Sequence, residues 1–246
     1  MYEILEVKER LQRFLSVLQV EFKFPLEDLN DAERELVLSL IQFRTYAKGD
    51  YVYKQGHTPK GVYWMKSGRI KFTKRQFSGE EHTHFIVHGN QFFGYRTVIS
   101  NGIYHLSVEV MEPSEIGFIP ADKFMEVLEQ MPLLMKAMLK EVCASSMVFI
   151  ARTALFSFKS VPQRLGIAIL LLQDKVAKLE KVDNPPVLLS RNELASYIGT
   201  SVEVVVRQLK KLEKMALIEL KGKLIYVKDL KGLLDMIDAS DAAVRE

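Results

Sequence analysis

The pattern of apolar and polar positions changes twice along the chain. Residues 1–40 carry apolar side chains at helical spacing. From about residue 43 to residue 120 the runs become short and alternating, and glycines punctuate them. Val62–Met65 before Ser67-Gly68 is one such run, and it predicts a strand followed by a turn. Helical spacing then returns, so the pattern favours a β-barrel or β-roll between helical segments.

A long helix is predicted to begin at Pro132, because proline suits the first turn of a helix. Its apolar side forms one stripe with spacings of 4, 4, 3 and 4 residues: Leu134, Met138, Val142, Ser145 and Phe149. The stripe covers about 25 residues, which is longer than a small domain needs. We therefore expect residues of about 132–156 to pair with a second copy of the chain. Packing of this helix on its own β-roll is the alternative.

Two short helices are predicted near the C-terminus. Ser190–Glu193 has the S-x-x-E pattern of a capping box, which opens a helix over Arg191–Ile198. Gly199 is expected to end that helix with a positive φ. Thr200–Glu203 repeats the capping pattern after a turn of only a few residues. Two capped helices joined by so short a turn predict a helix-turn-helix.

The second of these helices has an apolar and a charged face. Its apolar positions are Val205, Leu209 and Leu212, and its charged positions are Glu203, Arg207, Lys210 and Lys214, with Lys211 on the flank. The segment IELKGKLIYV then predicts two short strands around a Lys-Gly-Lys turn. This hairpin is a β-wing that carries Lys221 and Lys223 at its tip.

This combination is typical of a unit that binds double-stranded DNA. A recognition helix inserts its first turn in the major groove, while nearby cations and amides hold phosphates. A solvated amphipathic helix would explain the charged face alone, but the caps, the turn, the basic face and the wing occur together. The candidate DNA-contacting residues are Ser190, Arg191, Asn192, Thr200, Ser201, Val202, Glu203, Val206, Arg207, Lys210, Lys221 and Lys223.

Composition restricts the possibilities without identifying a function. The formal net charge of +3 is too small to identify a partner. Cys143 is the single cysteine, so neither a disulfide framework nor a cysteine-ligated cluster can form within one chain. No apolar run approaches the roughly 20 residues that a membrane-spanning helix needs. The N-terminal stretch lacks the layout of a secretion signal, so we expect a cytoplasmic protein with no membrane partner.

The order of a glycine-punctuated roll, a long helix and a winged helix-turn-helix resembles the CRP/FNR family of bacterial transcription regulators. YAKGDYVYKQG and WMKSGRIKF resemble the turns of the family's roll, and LSRNELASYIGTSVEVVVRQLKKLE resembles its helix-turn-helix without a gap. The resemblance covers nearly the whole chain and implies an α+β fold. We expect an N-terminal double-stranded β-roll (a jelly-roll of the cyclic-nucleotide-binding type) in residues 1–128, a long dimerisation helix in 129–158, and a C-terminal winged helix-turn-helix in 159–246.

The resemblance also implies a mode of action. A homodimer would bind an operator of two inverted half-sites about one helical turn apart. RNA polymerase is a further implied partner. An alternative from another class is a ligand-binding module whose winged domain is a protein-interaction surface. Valines at positions 202, 204 and 206 support that alternative, whereas the stripe of cations argues against it.

The second helix departs from the family pattern, S/T-R-E-T-V-x-R, at Val202 and Val204. The resemblance implies that both arginines and the glutamate of that pattern reach base edges. Arg207 can grip guanine and Glu203 can accept from a cytosine amine, but Val202 replaces the first arginine, as in the FNR branch. Val204 replaces a phosphate-holding threonine. Val206 stands where the FNR branch usually has serine, and it offers only apolar contact, for example with a thymine methyl. We therefore expect fewer polar base contacts than in relatives.

The resemblance also points to effector-pocket candidates in the roll: Gly94, Tyr95, Arg96, Tyr104 and His105. Relatives that bind cyclic AMP have G-E-L, which supplies a carboxylate to the ribose, and a later arginine that binds the phosphate. Here Tyr95 stands in place of that carboxylate, and the stretch 104–106 has no arginine. The charge-assisted hydrogen bonds between an arginine and a buried phosphate are hard to replace when the arginine is absent. We expect no cyclic-nucleotide binding, and another small effector or none; Arg96 is interpreted as an exposed surface arginine, with binding of another anion as the alternative.

No cofactor and no catalytic group is expected. An iron–sulfur sensor needs several cysteines, and Cys143 is interpreted as a small buried apolar residue. His82 and His84 alternate on one predicted strand face, with His88 nearby. Such histidines could bind a metal or haem, but a solvated hairpin is the simpler interpretation. The chain has no readable cysteine–histidine pair and no phosphate-cradling glycine loop, so we do not expect an enzyme.

Overall fold

The computed structural model describes residues 2–16, 18, 29–76 and 79–239. Helices α1 (Tyr2–Ser16) and α2 (Asp31–Ser39) precede a series of short strands. These are β1 (Gln42–Tyr46), β2 (Tyr51–Tyr53), β3 (Gly61–Ser67), β4 (Arg69–Arg75), β5 (Glu81–His88), β6 (Gln91–Phe93), β7 (Ser107–Val110) and β8 (Ser114–Pro120). They form two four-stranded antiparallel sheets with the orders β1-β8-β3-β6 and β2-β7-β4-β5. The roll expected from the alternating pattern is confirmed.

Apolar residues from both sheets form the core of the roll. The buried cluster takes Tyr63, Met65, Phe93 and Ile116 from the first sheet and Ile70, Val87, Val108 and Val110 from the second. The strand–turn–strand prediction at Ser67-Gly68 is also confirmed, since β3 ends at Ser67 and β4 begins at Arg69. Gly68 has a φ of 98°, and a Cβ added there would collide with the side chain of Ser114. A glycine is therefore needed at this turn.

Helices cover the other face of the first sheet. α3 (Tyr95–Ile99) follows β6, and α4 (Ala121–Gln130) and α5 (Pro132–Phe158) follow β8. Their apolar faces share a second buried cluster with the sheet: Leu29, Val37, Val62, Phe92, Tyr95, Val98, Ile119, Phe124, Val127, Leu128, Met131, Leu134 and Met138. The predicted start of the long helix at Pro132 is confirmed.

The stripe on α5 that was assigned to dimerisation contacts its own chain. Leu134 and Met138 are buried in the second cluster, and Val142 packs at its edge. Ser145 is fully buried and accepts a hydrogen bond from Arg96, while Phe149 is half-buried. The assignment of Leu134, Met138 and Ser145 to a dimer contact was wrong. A helical stripe indicates which side is buried, but it does not distinguish the same chain from a second copy.

The C-terminal residues form a helical unit with a small sheet. Its elements are α6 (Val161–Glu180), β9 (Val187–Leu188), α7 (Arg191–Ile198), α8 (Val202–Lys214), β10 (Ile218–Lys221), β11 (Leu224–Val227) and α9 (Leu230–Asp238). α6 is buried along its first turns and contacts α7, α8 and α9. The small antiparallel sheet has the order β10-β11-β9. The helix-turn-helix and the wing are therefore present as predicted, and β9 is an additional strand.

α1 packs with the C-terminal unit. Its Arg10 donates to the carboxylates of Asp235 and Asp238 in α9 at 2.6 and 2.7 Å. Contacts divide the chain into residues 20–146 as one unit and residues 1–19 with 147–246 as the other. The sequence predicted one domain over residues 1–128. This prediction differs from the two units of the structure, because residues 1–19 belong with the C-terminal unit. The ion pairs of Arg10 join residues more than 200 positions apart, and the local sequence pattern does not indicate such a contact.

Candidate nucleic-acid interface

The first helix of the helix-turn-helix begins and ends as its sequence predicts. The hydroxyl of Ser190 accepts from the amide of Glu193 at 3.2 Å, and the Glu193 carboxylate accepts from the amide of Ser190 at 2.7 Å. This reciprocal capping box satisfies amides that α7 itself cannot pair. Gly199 ends the helix with a φ of 67°. Asn192, a further candidate, is exposed in the first turn.

The second cap lies one residue later than expected. Ser201, not Thr200, is the residue before α8, and its hydroxyl accepts from the amide of Val204 at 3.4 Å. The amide of Thr200 instead donates to the carbonyl of Ala195 at 3.1 Å, so Thr200 still belongs to the end of α7. The T-x-x-E pattern was therefore a wrong indicator of the cap. The turn remains short enough to bring α7 and α8 into contact.

α8 has a buried and an exposed face, as predicted. Val205, Leu209 and Leu212 are buried. The opposite face is open and presents two valines, one carboxylate and four cations: Val202, Glu203, Val206, Arg207, Lys210, Lys211 and Lys214. We call this surface the α8 groove. The structure thus gathers five of the sequence-predicted DNA candidates, at positions 202, 203, 206, 207 and 210, on one open face.

The carboxylate of Glu203 is held at the start of the helix. It accepts hydrogen bonds from the Ser201 hydroxyl and from its own backbone amide, and these bonds lower the pKa of Glu203. The side chain is solvent-exposed, so its position is a local preference. The carboxylate keeps further acceptor sites, so it can still accept from a cytosine amine.

The wing is tied to the helix-turn-helix by two side chains. Arg191 donates to the carbonyl of Gly222 at 3.1 Å, which joins the first turn of α7 to the wing turn. The Glu213 carboxylate accepts from the amide of Leu220 at 2.9 Å and joins α8 to β10. Burial lowers the pKa of Arg191, and the nearby Glu213 opposes that shift. Arg191 therefore positions the wing, a role that the sequence did not reveal.

The two wing lysines have different surroundings. Lys221 forms an ion pair with Glu219 at 3.2 Å, and its ammonium lies over the Tyr226 ring, 5.2 Å from the centroid. Lys223 follows Gly222, which turns the chain with a φ of 60°, and is exposed. Part of the charge of Lys221 is therefore already balanced. Lys223 is the stronger candidate for a phosphate contact.

Replacing Ser190 with alanine should lower the free energy of unfolding of the C-terminal unit by about 1 kcal/mol, because α7 loses its N-cap acceptor. Urea unfolding followed by circular dichroism measures this change. Asn192→Ala is the matched control, since Asn192 is exposed in the same turn and is not the cap. Equal losses in the two variants would show that the cap contributes nothing specific.

The effector candidates in the roll differ in their exposure to solvent. Tyr95 is 2% exposed and stacks on Phe92, and burial raises its pKa to about 12. Tyr104 is also buried, whereas His105 is exposed. Gly94 precedes α3 with a φ of 86°. Tyr95 therefore belongs to the apolar cluster and does not offer a polar group to a ligand in the roll.

Arg96 is not the surface residue that the sequence suggested. It is half-buried, its guanidinium lies 5.2 Å from the Tyr95 ring centroid, and it donates to the buried Ser145 hydroxyl of α5. Glu141 lies near enough for Arg96 to lower its pKa, although burial has the larger and opposite effect. The interpretation as an exposed arginine was wrong because sequence could not show that α5 passes over α3.

Aromatic rings fill the space between the two sheets. Tyr53 stacks on Tyr104 with centroids 3.7 Å apart, and Tyr63 stacks on Phe93 at 5.3 Å. The Tyr104 hydroxyl donates to the carbonyl of Gly61 at 3.3 Å. Burial raises the pKa of Tyr53 and of Tyr104 well above the usual value. The roll interior around Tyr104 is thus lined by aromatic rings.

The remaining sequence candidates show no metal-binding geometry. The rings of His82 and His84 meet edge to face at 4.9 Å on β5, and His88 ends the same strand. Within the described ranges, no three histidine, cysteine, aspartate or glutamate side chains converge as metal ligands. Cys143 is exposed on α5, which corrects its interpretation as a buried residue. Among those same residues no helix is long and apolar enough to cross a membrane.

Known proteins resemble both halves of the chain. The family model for the cyclic nucleotide-binding domain matches residues 43–131, and that for the Crp-like helix-turn-helix domain matches residues 163–236. The transcriptional activator protein Anr of Pseudomonas protegens is 26% identical over 220 residues, covering 87% of this chain and 86% of Anr. The cyclic AMP receptor protein of Thermus thermophilus is 23% identical over 197 residues, covering 80% and 88%.

A solved structure supports the fold. A transcriptional regulator of the CRP/FNR family from Thermus thermophilus superposes with a TM-score of 0.59 at 16% identity. The match covers 80% of this chain and 99% of that one. The likeness therefore extends over the roll, the long helix and the winged domain of the fold.

Proposed function

We propose that this chain, which belongs to the CRP/FNR family of transcription regulators, acts as a homodimer that binds an inverted-repeat DNA operator. It is a regulator with a helix-turn-helix DNA-binding domain. The proposal adds the dimer, the operator and the residues that contact it. It also assigns the cytoplasm as the site of action, RNA polymerase as a further partner, and no catalytic activity.

The α8 groove is the observation that carries the proposal. Arg207, Lys210 and Lys214 lie on one exposed face of α8, opposite the residues that bury it. Such a face presents cations to phosphates and one guanidinium fork to a guanine in the major groove. Arg191 and Glu213 hold the wing beside the helix-turn-helix, so that Lys223 adds a phosphate contact outside the groove.

An exposed stripe on α5 supports the dimer. A neighbouring side of α5 carries Met135, Leu139, Cys143, Met147 and Ile150, which repeat at helical spacing and are exposed in the single chain. Leu139, Met147 and Ile150 each expose more than 60% of their surface. A long apolar stripe of this kind is costly in water and is typical of a two-fold contact between helices. We call it the exposed α5 stripe.

The roll is proposed to have lost cyclic-nucleotide binding. Tyr95 is turned into the apolar cluster, Tyr104 stacks within the roll, and His105 is the exposed member of the candidate set. Arg96 is directed to Ser145 on α5. The name of the Thermus thermophilus relative, a cyclic AMP receptor protein, therefore does not extend to this roll. The roll is proposed to bind another small effector or no effector.

Calorimetric titration with cyclic AMP and with cyclic GMP should give no saturable heat, because the roll offers neither a ribose carboxylate nor a phosphate cation at the corresponding places. A dissociation constant in the micromolar range for either nucleotide would contradict this proposal. In that case the Arg96→Ala variant identifies the cation. Binding should be lost if Arg96 has replaced the missing arginine, and binding should be unchanged if another group contacts the phosphate.

Selection from random-sequence duplex DNA tests the proposed function. The selected sequences should contain two inverted half-sites about one helical turn apart, and footprinting should protect both. Recovery of no sequence above the random pool would contradict operator recognition. Protection of a single unrepeated site would contradict the dimer.

A further inference from the structure

We propose that Val202 and Val206 form a reader of the 5-methyl group of pyrimidines in the major groove. The inference rests on the proposed function and deepens it, because it assigns a base chemistry to the α8 groove. The chemical class recognised is 5-methylpyrimidines, that is, thymine and 5-methylcytosine.

The two valines differ from the core valine of the same helix. Val205 is fully buried, whereas Val202 and Val206 are partly exposed and line the groove beside Arg207 and Lys210. Four residues separate Val202 from Val206, so they lie one above the other on a helix face. They are therefore surface residues of the groove and are not needed to close the core.

Their chemistry selects one feature of a DNA base edge. An isopropyl group can neither donate nor accept a hydrogen bond, and it gains free energy when apolar surface covers it. In the major groove the apolar group of a base pair is the 5-methyl of thymine, which 5-methylcytosine also carries. Apolar side chains that line a groove facing DNA are thus matched to a methylated pyrimidine.

The spacing fits two methyl groups. Four residues along a helix correspond to about 6 Å, and successive base pairs are about 3.4 Å apart. Val202 and Val206 can therefore contact methyls on neighbouring or next-neighbouring base pairs. Arg207 follows Val206 directly and lines the same groove, so we expect its guanidinium fork to reach the base pair beside the second methyl.

The neighbouring glutamate does not compete for the same base. The carboxylate of Glu203 is held by the Ser201 hydroxyl and by its own amide at the helix start. In that position it closes the helix terminus. Beside its lysines, the groove presents two isopropyl groups and one guanidinium, which fits a half-site with thymine beside guanine.

Single replacement of thymine by deoxyuridine in the selected operator tests the inference, because uracil keeps every hydrogen-bonding group and loses only the methyl. One or two thymine positions in a half-site should lose about fourfold in affinity for each methyl removed. At such a position the thymine can also be replaced by cytosine. The protein should bind an operator with 5-methylcytosine there more tightly than one with unmethylated cytosine. The remaining thymine positions should change by less than twofold.

Variants separate a direct contact from an effect of the methyl on DNA shape. Val206→Ala should abolish the thymine–uracil difference at one position and keep it at the other, and Val202→Ala should do the reverse. Lys210→Ala, in the same groove, should weaken binding while leaving both ratios unchanged. If the alanine variants keep the wild-type ratios, or if every uracil substitution is neutral, the inference is wrong. A different result would overturn the proposed function itself: the wild type would show no preference for the operator over random DNA.

Discussion

Replacing Arg207 with alanine should weaken binding to the selected operator by about 1–3 kcal/mol in each half-site. Arg207 lies exposed in the α8 groove, and its fork can pair with O6 and N7 of one guanine. The variant should also lose its preference at one symmetric base-pair position. Binding titrations against operators changed at single positions measure both effects.

Lys223→Ala is the matched control for this change. Lys223 is exposed at the wing turn and is expected to contact a phosphate. Its removal should weaken all sequences alike and reduce the salt slope by about one unit for each lost contact. Lys221→Ala should have the smaller effect, because Glu219 already pairs with Lys221. If Arg207→Ala lowers operator and random-sequence binding by the same factor, Arg207 holds phosphate and does not read a base.

Replacing Leu139 with glutamate should dissociate the dimer. Leu139 is 62% exposed in the single chain and lies in the middle of the exposed α5 stripe, so a carboxylate there would be buried between two copies without a partner. Loss of the second half-site should lower operator affinity by at least about 100-fold, since each half-site then binds alone. Sedimentation and operator titration measure the two consequences.

Ala144→Glu is the control for the charge itself. Ala144 is exposed on the same helix and is not one of the stripe residues, so the variant should remain dimeric and bind the operator. Circular dichroism should show both variants folded, because neither residue is buried in the protomer. A dimeric Leu139→Glu variant with unchanged affinity would show that copies of the chain pair through another surface.

Local patterns were sufficient for the winged domain. The S-x-x-E signal at Ser190 and the glycine at 199 predicted both ends of α7, since the capping bonds involve residues only three apart. The second cap was misplaced by one residue because Thr200 and Ser201 both have a hydroxyl. The choice between them depends on where the chain leaves α7, and that is set by the contact between Thr200 and Ala195.

Contacts between distant residues were beyond the reach of the sequence. The periodicity of α5 showed one apolar stripe, whereas the structure has a buried side around Leu134 and an exposed side around Leu139. Arg96 was placed on the surface because nothing in its neighbourhood indicates Ser145, which lies 49 residues away. Arg152 is a further example, since it donates to the Tyr197 hydroxyl at 2.6 Å and ties the end of α5 to α7. Each of these contacts requires the tertiary fold.

Titration of the selected operator and of random-sequence duplex at several salt concentrations tests the central claim, that the α8 groove reads sequence. The account predicts that the operator is bound at least about 1,000-fold more tightly than random duplex at physiological salt, and that both affinities fall as salt rises. It also predicts that Arg207→Ala removes part of that ratio. Equal affinity for both duplexes at every salt concentration would contradict the claim and leave the groove a phosphate-binding surface.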